Sequence, residues 1–354
     1  MSKIRFPAEW EEHSGTIMIW PTRPGSWPYG AKYAAKPFKK IIKAICKGEH
    51  VHLAVNSCDN NLVSKVNKLF SSEILAERVT FWIKATDDCW ARDMAPTFVK
   101  EGGELVGIDW EFNAWGGDYN GLYKHWQKDD EFAAYICKKL NTGYKNAHPF
   151  VLEGGSIHSN GNGIIMTTEE CLLSKGRNPD LTKEQIEQKL KEYLGAEKVI
   201  WLKRGIVGDE TDGHVDNICA FANADTVVLA WSDVGEQGEI CRENYDILTQ
   251  NGLKVIKLPM PEKPVTITQF DLDGFVFEEG EDAREVGEQL AASYVNFYIC
   301  NAGILVPQFG DKNDKVALKI LKQAFPDKKI IPIPARDLIV GGGNIHCLTQ
   351  QVPK

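Results

Sequence analysis

Near the end of the chain stands Gly341-Gly342-Gly343-Asn344-Ile345-His346-Cys347. Three glycines strip side chains from a stretch of backbone, so it can take positive φ and approach a ligand closely. The strand-like Lys329-Ile330-Ile331-Pro332-Ile333-Pro334 and the apolar Leu338-Ile339-Val340 precede it and would carry the Cys347 thiol to a fixed point. Such a thiol is a candidate nucleophile, although a free cysteine is more often buried and inert. A second segment, Gly213-His214-Val215-Asp216-Asn217, offers a partner. In an extended chain residues i and i+2 share a face, so His214 and Asp216 would point into one pocket. A histidine beside a cysteine serves as general acid and base; the plainer reading is a structural histidine with a solvated aspartate.

Two further segments concentrate charge. Thr86-Asp87-Asp88-Cys89-Trp90-Ala91-Arg92-Asp93 gathers three acids around a tryptophan, after the strand-like Val79-Thr80-Phe81-Trp82-Ile83. Paired acceptors and a ring face suit a flat organic cation. The alternative is a charged turn whose tryptophan is core. Leu152-Glu153-Gly154-Gly155-Ser156 places one more carboxylate before two permissive glycines, and would otherwise read as a tight turn. Together the four segments supply a nucleophile, a base, an orienting acid and further carboxylates, scattered as converging active-site loops often are.

The motifs Trp90-Ala91-Arg92-Asp93, Glu153-Gly154-Gly155, His214-Val215-Asp216 and Gly341-Gly342-Gly343-Asn344-Ile345-His346-Cys347 resemble those of the guanidino-group-modifying enzymes, and within them the agmatine deiminases. The resemblance extends to Phe6-Pro7-Ala8-Glu9-Trp10-Glu11, Met18-Ile19-Trp20-Pro21, Phe112-Asn113-Ala114-Trp115-Gly116-Gly117, Arg177-Asn178-Pro179 and Val306-Pro307-Gln308-Phe309-Gly310-Asp311. It runs nearly end to end; segment 262–292 carries little of it.

The resemblance implies roles. Cys347 would attack the central carbon of a guanidinium, which Asp93 and Asp216 grip. His214 would act as acid and then base, oriented by Glu153. Trp90 would line the pocket, with Asp87, Trp115, Asp209 and Glu210 available to the substrate. It further implies a five-unit α/β-propeller with the site in its central channel, one deiminase domain over 1–354, agmatine as the cationic substrate, and homo-oligomeric assembly. A nearby alternative is deimination of arginine or peptidyl-arginine, for which Arg92 or Arg204 would serve the substrate's carboxylate or carbonyl. A more distant one is a catalytically silent guanidine- or polyamine-binding protein, against which the full set of reactive residues argues.

Composition sets bounds. The 354 residues are 43% hydrophobic and 25% charged, ordinary for a soluble globular protein. Nine dispersed cysteines form no CxxC pair or framework spacing, which favours a reducing, cytoplasmic setting. Neither HExxH nor a Cys/His cluster is visible, so no metal is expected, nor any cofactor. His346 reads as a surface or packing histidine. The first residues lack an apolar signal region, and no run of roughly 18 apolar residues is present, so neither secretion nor a membrane span is expected. A formal charge of −8 argues against nucleic acid and mildly favours a small cation.

Strand-like and helix-like runs alternate. Thr16–Trp20 and Val51–Val55 read as strands; Phe38–Cys46 and Asn61–Phe70 read as helices. The clearest helix is 183–194. Thr182 is its N-cap, Gln185 completes a capping box, Leu181 and Ile186 form a staple, and Gly195 closes it. A helix from Asp314 to Phe325 would bury Val316, Ile320 and Ala324. Without the resemblance, this alternation would suggest one doubly wound sheet.

Overall fold

The structure is a computed structural model describing all residues except 1–2, 57–59, 73–76, 280 and 282. Among the described residues it is a mixed α/β fold with five separate sheets rather than one doubly wound sheet. The first contains Gln350–Pro353, His13–Ile19, His50–Val55 and Val79–Ile83; the second Ile4–Arg5, Thr97–Glu101, Glu104–Glu111 and Gly143–Val151. The third holds His158–Ser159, Ile164–Thr168 and Lys198–Leu202; the fourth Cys219–Asn223, Thr226–Trp231 and Lys254–Pro259; the fifth Tyr298–Cys300, Gly303–Gln308 and Ile330–Pro334.

One wiring recurs in all of them. An antiparallel pair is followed by a crossover to a parallel strand. A parallel partner cannot be reached through a tight turn, so the crossovers carry helices: Ala35–Ile45, Phe132–Leu140, Lys183–Leu194, Gly235–Gln250 and Asp314–Ala324. In the first sheet the antiparallel partner of His13–Ile19 is supplied by the chain's far end, Gln350–Pro353.

The sequence expectations for local elements fare well. Val79–Ile83 is a strand as read, and Thr16–Trp20 and Val51–Val55 lie within His13–Ile19 and His50–Val55 but for Trp20. Lys183–Leu194 has its Thr182–Gln185 capping box, a left-handed Gly195 at its end, and Ile186, Leu190 and Leu194 buried. Asp314–Ala324 forms as a helix, but its buried face is Ala317 and Leu321, and Val316 is 44% exposed. The inward stripe lies one residue further along because Ala317, Leu321 and Phe325 enter the core together. His214 and Asp216 are not on an extended segment either: His214 precedes the helical turn Val215–Ile218, which contains Asp216.

The topology also locates function. The last parallel strand of four of the sheets is followed by a loop bearing candidate residues. Val79–Ile83 leads to Asp93, Gly143–Val151 to Glu153, and Lys198–Leu202 to His214 and Asp216. Lys254–Pro259 leads into 260–297, and Ile330–Pro334 to Cys347. Carboxyl ends of parallel strands are where open α/β sheets usually bind ligands.

Thr182→Ala should lower the unfolding free energy by about 1 kcal/mol, because Thr182 Oγ1 accepts the Gln185 N–H at 3.3 Å and its own N–H binds Gln185 Oε1 at 2.7 Å. Urea unfolding measures it; an unchanged midpoint would mean that this cap is energetically idle.

Candidate active site

Cys347 sits at the bottom of a narrow space lined by Trp90, Asp93, Trp115, Leu122, Glu210, Thr211, Asn217 and the three glycines. Each glycine is required for its own reason. A Cβ on Gly341 would meet Trp27 at 2.8 Å, and one on Gly343 would meet Trp90 at 2.6 Å. Gly342 alone takes positive φ, at 106°. Trp90 is thus held between Gly343 and the stacked ring of Trp27, 5.3 Å away.

Gly155 marks where the loops meet. A Cβ there would lie 2.6 Å from His214 Nδ1, 2.9 Å from Asp93 Oδ1 and 3.1 Å from Asp216 Oδ2. The Gly155 N–H donates to Asp93 Oδ1 at 2.9 Å, and Trp115 Nε1 donates to Asp93 Oδ2 at 2.9 Å. Cys347 Sγ lies 3.6 Å from Asp216 Oδ2. His214 Nδ1 is 3.9 Å from Asp93 Oδ1, and its Nε2 is 3.7 Å from Glu153 Oε2. Both contacts are ion-pair distances beyond hydrogen-bond reach.

Sequence reasoning missed three supporting residues. His346 is no surface histidine: it is buried, its Nδ1 2.8 Å from Asp216 Oδ2 and its Nε2 2.7 Å from Glu9 Oε2. Glu9 also accepts the Ile299 N–H at 2.7 Å and faces Arg92. Arg177 is buried behind Glu153, with Nε 2.7 Å from Glu153 Oε1. It also pairs with Asp212 at 2.8 Å and donates to the Thr211 and Trp115 carbonyls. Glu9 and Arg177 fell inside segments quoted for the family resemblance, which is the one signal that could have flagged them.

Not every expected residue reaches the cavity. Asp87 turns to Lys128, 2.5 Å away, and its neighbour Asp88 lines the outer cavity instead. Asp209 braces its own loop, binding Thr211 and Asn217. Glu210 does line the space, paired with Arg284. The outer cavity, about 490 Å³, shares Trp90, Trp115, Leu122, Glu210 and Gly341 with the inner one.

Charge is distributed unevenly. Burial pushes the Asp93 carboxyl up to about 6, helped by Asp216 and Glu153 and opposed by His214. Burial opposes charge on His214, but Asp93, Cys171 and Glu153 outweigh it and raise its pKa well above the ordinary value. Burial would also raise Asp216, yet His346 and His214 hold it below its usual range. Burial, Asp216 and Asp93 raise the Cys347 thiol well above its ordinary value, against hydrogen bonds from the Asn344 backbone and Asn296, which favours the protonated form in the empty site. The arrangement therefore pairs a protonated thiol with a charged imidazole and acceptors waiting for a cation.

Two buried triads, Glu9/His158/His346 and Glu153/Cys171/His214, bring ligand atoms within 4.8 Å of one another. The sequence reading saw no such cluster. In each, an arginine already faces the carboxylate: Arg92 at 3.7 Å and Arg177 at 2.7 Å. A dication would have to displace or tolerate that charge, which favours reading both as internal ion-pair networks.

The model of the Porphyromonas-type peptidyl-arginine deiminases matches residues 5–353. The chain belongs to this family. A Selenomonas ruminantium protein named "Putative agmatine deiminase" is 49% identical over 98% of this chain and 95% of its own length. The structure of the agmatine deiminase of Enterococcus faecalis catalysing its reaction superposes with a TM-score of 0.93 at 40% identity, covering 99% of this chain and 96% of that one. A C. jejuni agmatine deiminase with substrate bound gives 0.83 at 28% identity, covering 99% and 96%. For a peptidyl-arginine deiminase family member the arginines matter. Arg92 is buried against Gln351 and Glu9, and Arg204 faces Glu236 and Glu243, so neither lines the two cavities.

Arg177→Met should cost about 3–5 kcal/mol of stability, the usual penalty for leaving a buried charge unpaired. Denaturant unfolding tests this; a change below about 1 kcal/mol would show that Glu153 does not depend on Arg177.

Proposed function

We propose that this chain is an agmatine deiminase, hydrolysing agmatine to N-carbamoylputrescine and ammonia. The observation that carries the reading is the meeting of His214, Asp93 and Asp216 around Gly155, with the Cys347 thiol beside Asp216. A guanidinium entering there is planar, cationic and offers only donors. Asp93 and Asp216 offer only acceptors when ionised, and Asp216 Oδ1 has no hydrogen-bond partner. The arriving cation offsets the carboxylates' repulsion and favours the thiolate, the thiol proton leaving to solvent because His214 is already protonated.

The Cys347 sulfur then bonds to the guanidinium carbon. His214 gives a proton to the departing nitrogen, which leaves as ammonia, and a covalent thiouronium remains. The imidazole, now neutral, takes a proton from water as its oxygen attacks the same carbon. The S–C bond breaks, the remaining hydroxyl proton passes to solvent as the ureido carbonyl forms, and the product and thiolate are released with His214 charged again. Glu153 and Arg177 hold the imidazole's side of the site. Nucleophile, acid and charge clamp are all side chains, so the reaction calls for no cofactor.

The outer cavity supports agmatine over arginine. Its lining carries Asp88, Glu210, Glu281, Glu285 and Glu288 against Arg23 and Arg284. Both arginines are already paired, Arg23 with Glu278 and Glu281, Arg284 with Glu210 and Glu288. A distal ammonium meets an acidic surplus there, whereas a carboxylate would lack a free cation. The same reading places the five sheets about a pseudo-fivefold axis as one α/β-propeller domain over 1–354, because the site draws on equivalent loops. We further infer a cytoplasmic homo-oligomer that engages neither membrane nor nucleic acid; among the described residues no helix is long and apolar enough to cross a membrane.

Cys347→Ala should abolish turnover with the fold intact, and Asp93→Asn and Asp216→Asn should each lose most activity, while Asp87→Asn stays near wild type. Steady-state assays decide: an active Cys347→Ala protein sinks the mechanism, and equal modest losses at all three aspartates sink the clamp. For substrate choice, kcat/KM for agmatine should exceed that for arginine and peptidyl-arginine by at least about a hundredfold, since an unpaired carboxylate costs several kcal/mol. Equal or better turnover of arginine or a peptide would reassign the substrate and leave the deiminase chemistry standing.

A further inference from the structure

Asn296 lies four residues beyond the segment 262–292, where the sequence offered least. Its side chain is completely buried, and its amide touches the nucleophile: Nδ2 is 3.2 Å from Cys347 Sγ. The amide's orientation is fixed by its partners. Oδ1 accepts the His346 backbone N–H at 3.0 Å, and a backbone N–H can only donate. Nδ2 therefore faces the other way, toward Asn217 Oδ1 at 2.9 Å and the sulfur. Asn217 is itself oriented, its Nδ2 donating to Asp209 Oδ2 at 3.1 Å. A chain of oriented groups thus runs Asp209–Asn217–Asn296–Cys347.

The Asn344 backbone also hydrogen-bonds the sulfur and favours the thiolate, whereas the other side-chain atoms near it are acceptors: Asp216 Oδ2 at 3.6 Å and Asn296 Oδ1 at 3.5 Å. These suit a thiol, whose S–H needs somewhere to point. They oppose a thiolate, which needs donors. Among the polar side-chain contacts of the sulfur, Nδ2 is the one donor, and it carries no charge that would compete with a cationic substrate for Asp93 and Asp216.

We propose that Asn296 is a further catalytic residue, whose Nδ2–H donates to the Cys347 thiolate and stabilises it in the attacking position. This rests on Cys347 being the nucleophile. It assigns to Asp209 a positioning role at the far end of the chain, where the sequence suggested substrate contact. A hydrogen bond to a charged group shifts an equilibrium by about tenfold or more when removed, so the effect is large enough to measure directly on the thiol.

The test is alkylation of the free enzyme by iodoacetamide across pH, followed at Cys347 by mass spectrometry. Only the thiolate displaces iodide, so the rate reports its population without needing turnover. Asn296→Leu keeps the shape and removes the amide; the His346 N–H retains the Asn296 main-chain carbonyl at 3.3 Å. Asn296→Asp keeps the shape and replaces the donor with an acceptor. The expected result is alkylation at least fivefold slower than wild type along the ascending limb for Leu, and slower still for Asp. Agmatine kcat should fall about tenfold or more in both, with KM changed much less. A folded variant of either kind with the wild-type alkylation profile overturns the proposal, as does a loss of thermal stability with no shift in that profile. If Asn296→Leu does not fold, the Asp variant decides alone. Should Cys347→Ala retain turnover, the covalent mechanism fails instead, and the alkylation data still say whether Asn296 governs this thiol.

Discussion

Everything at the centre of this molecule depends on keeping four carboxylates out of water. Glu9, Asp93, Glu153 and Asp216 are each at most 6% exposed. Unpaired, each would cost several kcal/mol. Arg177 answers Glu153, His346 lies between Glu9 and Asp216, Arg92 faces Glu9, and His214 sits between Asp93 and Glu153. The balance is close and local. Asp93 is the member left short of positive charge, and its carboxyl is pushed up to about 6.

That shortage is what a cationic substrate would relieve. In the empty site burial and the two aspartates favour a protonated Cys347. A guanidinium adds positive charge at the point where Asp93, Asp216 and the sulfur converge. On the proposed mechanism, binding and activation would be one event, because the same charge that satisfies the aspartates would also favour the thiolate. Asp216 is prepared for this by His346, which occupies one oxygen and leaves the other without a partner. The rigidity needed comes from groups away from the reacting atoms. Arg177 ties the loops of Glu153, Trp115 and Asp212 together, and Asp129 accepts the Asp87 and Asp88 N–H groups to set the turn that leads to Trp90.

The repeated wiring of the sheets explains how such distant residues meet. Each parallel strand ends in a loop, and the site is assembled from those ends. Local physics was enough to read many of the elements that carry the loops. The Thr182–Gln185 box and Gly195 define a helix by backbone hydrogen bonds alone, and the structure agrees. Where packing across elements decides, the sequence misled. Val316 has the right spacing to be core, yet Ala317 and Leu321 face inward and join Phe325 in one buried cluster. His214 and Asp216 converge through a helical turn, since an i, i+2 spacing does not itself choose a backbone conformation.

The sequence alone determined which chemistry is possible here: a thiol behind three glycines, a histidine, paired aspartates and a glutamate, in motifs distinctive enough to indicate a family. Those features are local, held within a few residues of chain. Only the tertiary structure decided which groups share the buried charge. His346 looked like packing because nothing within its own segment reveals Glu9, and Asn296 has no motif at all; it matters through contacts with Asn217, His346 and Cys347. It likewise turned Asp87 to Lys128 and placed Asp88 in the cavity. Electrostatic energy depends on distance in space and on exclusion of water, and neither is written in the spacing of residues along the chain.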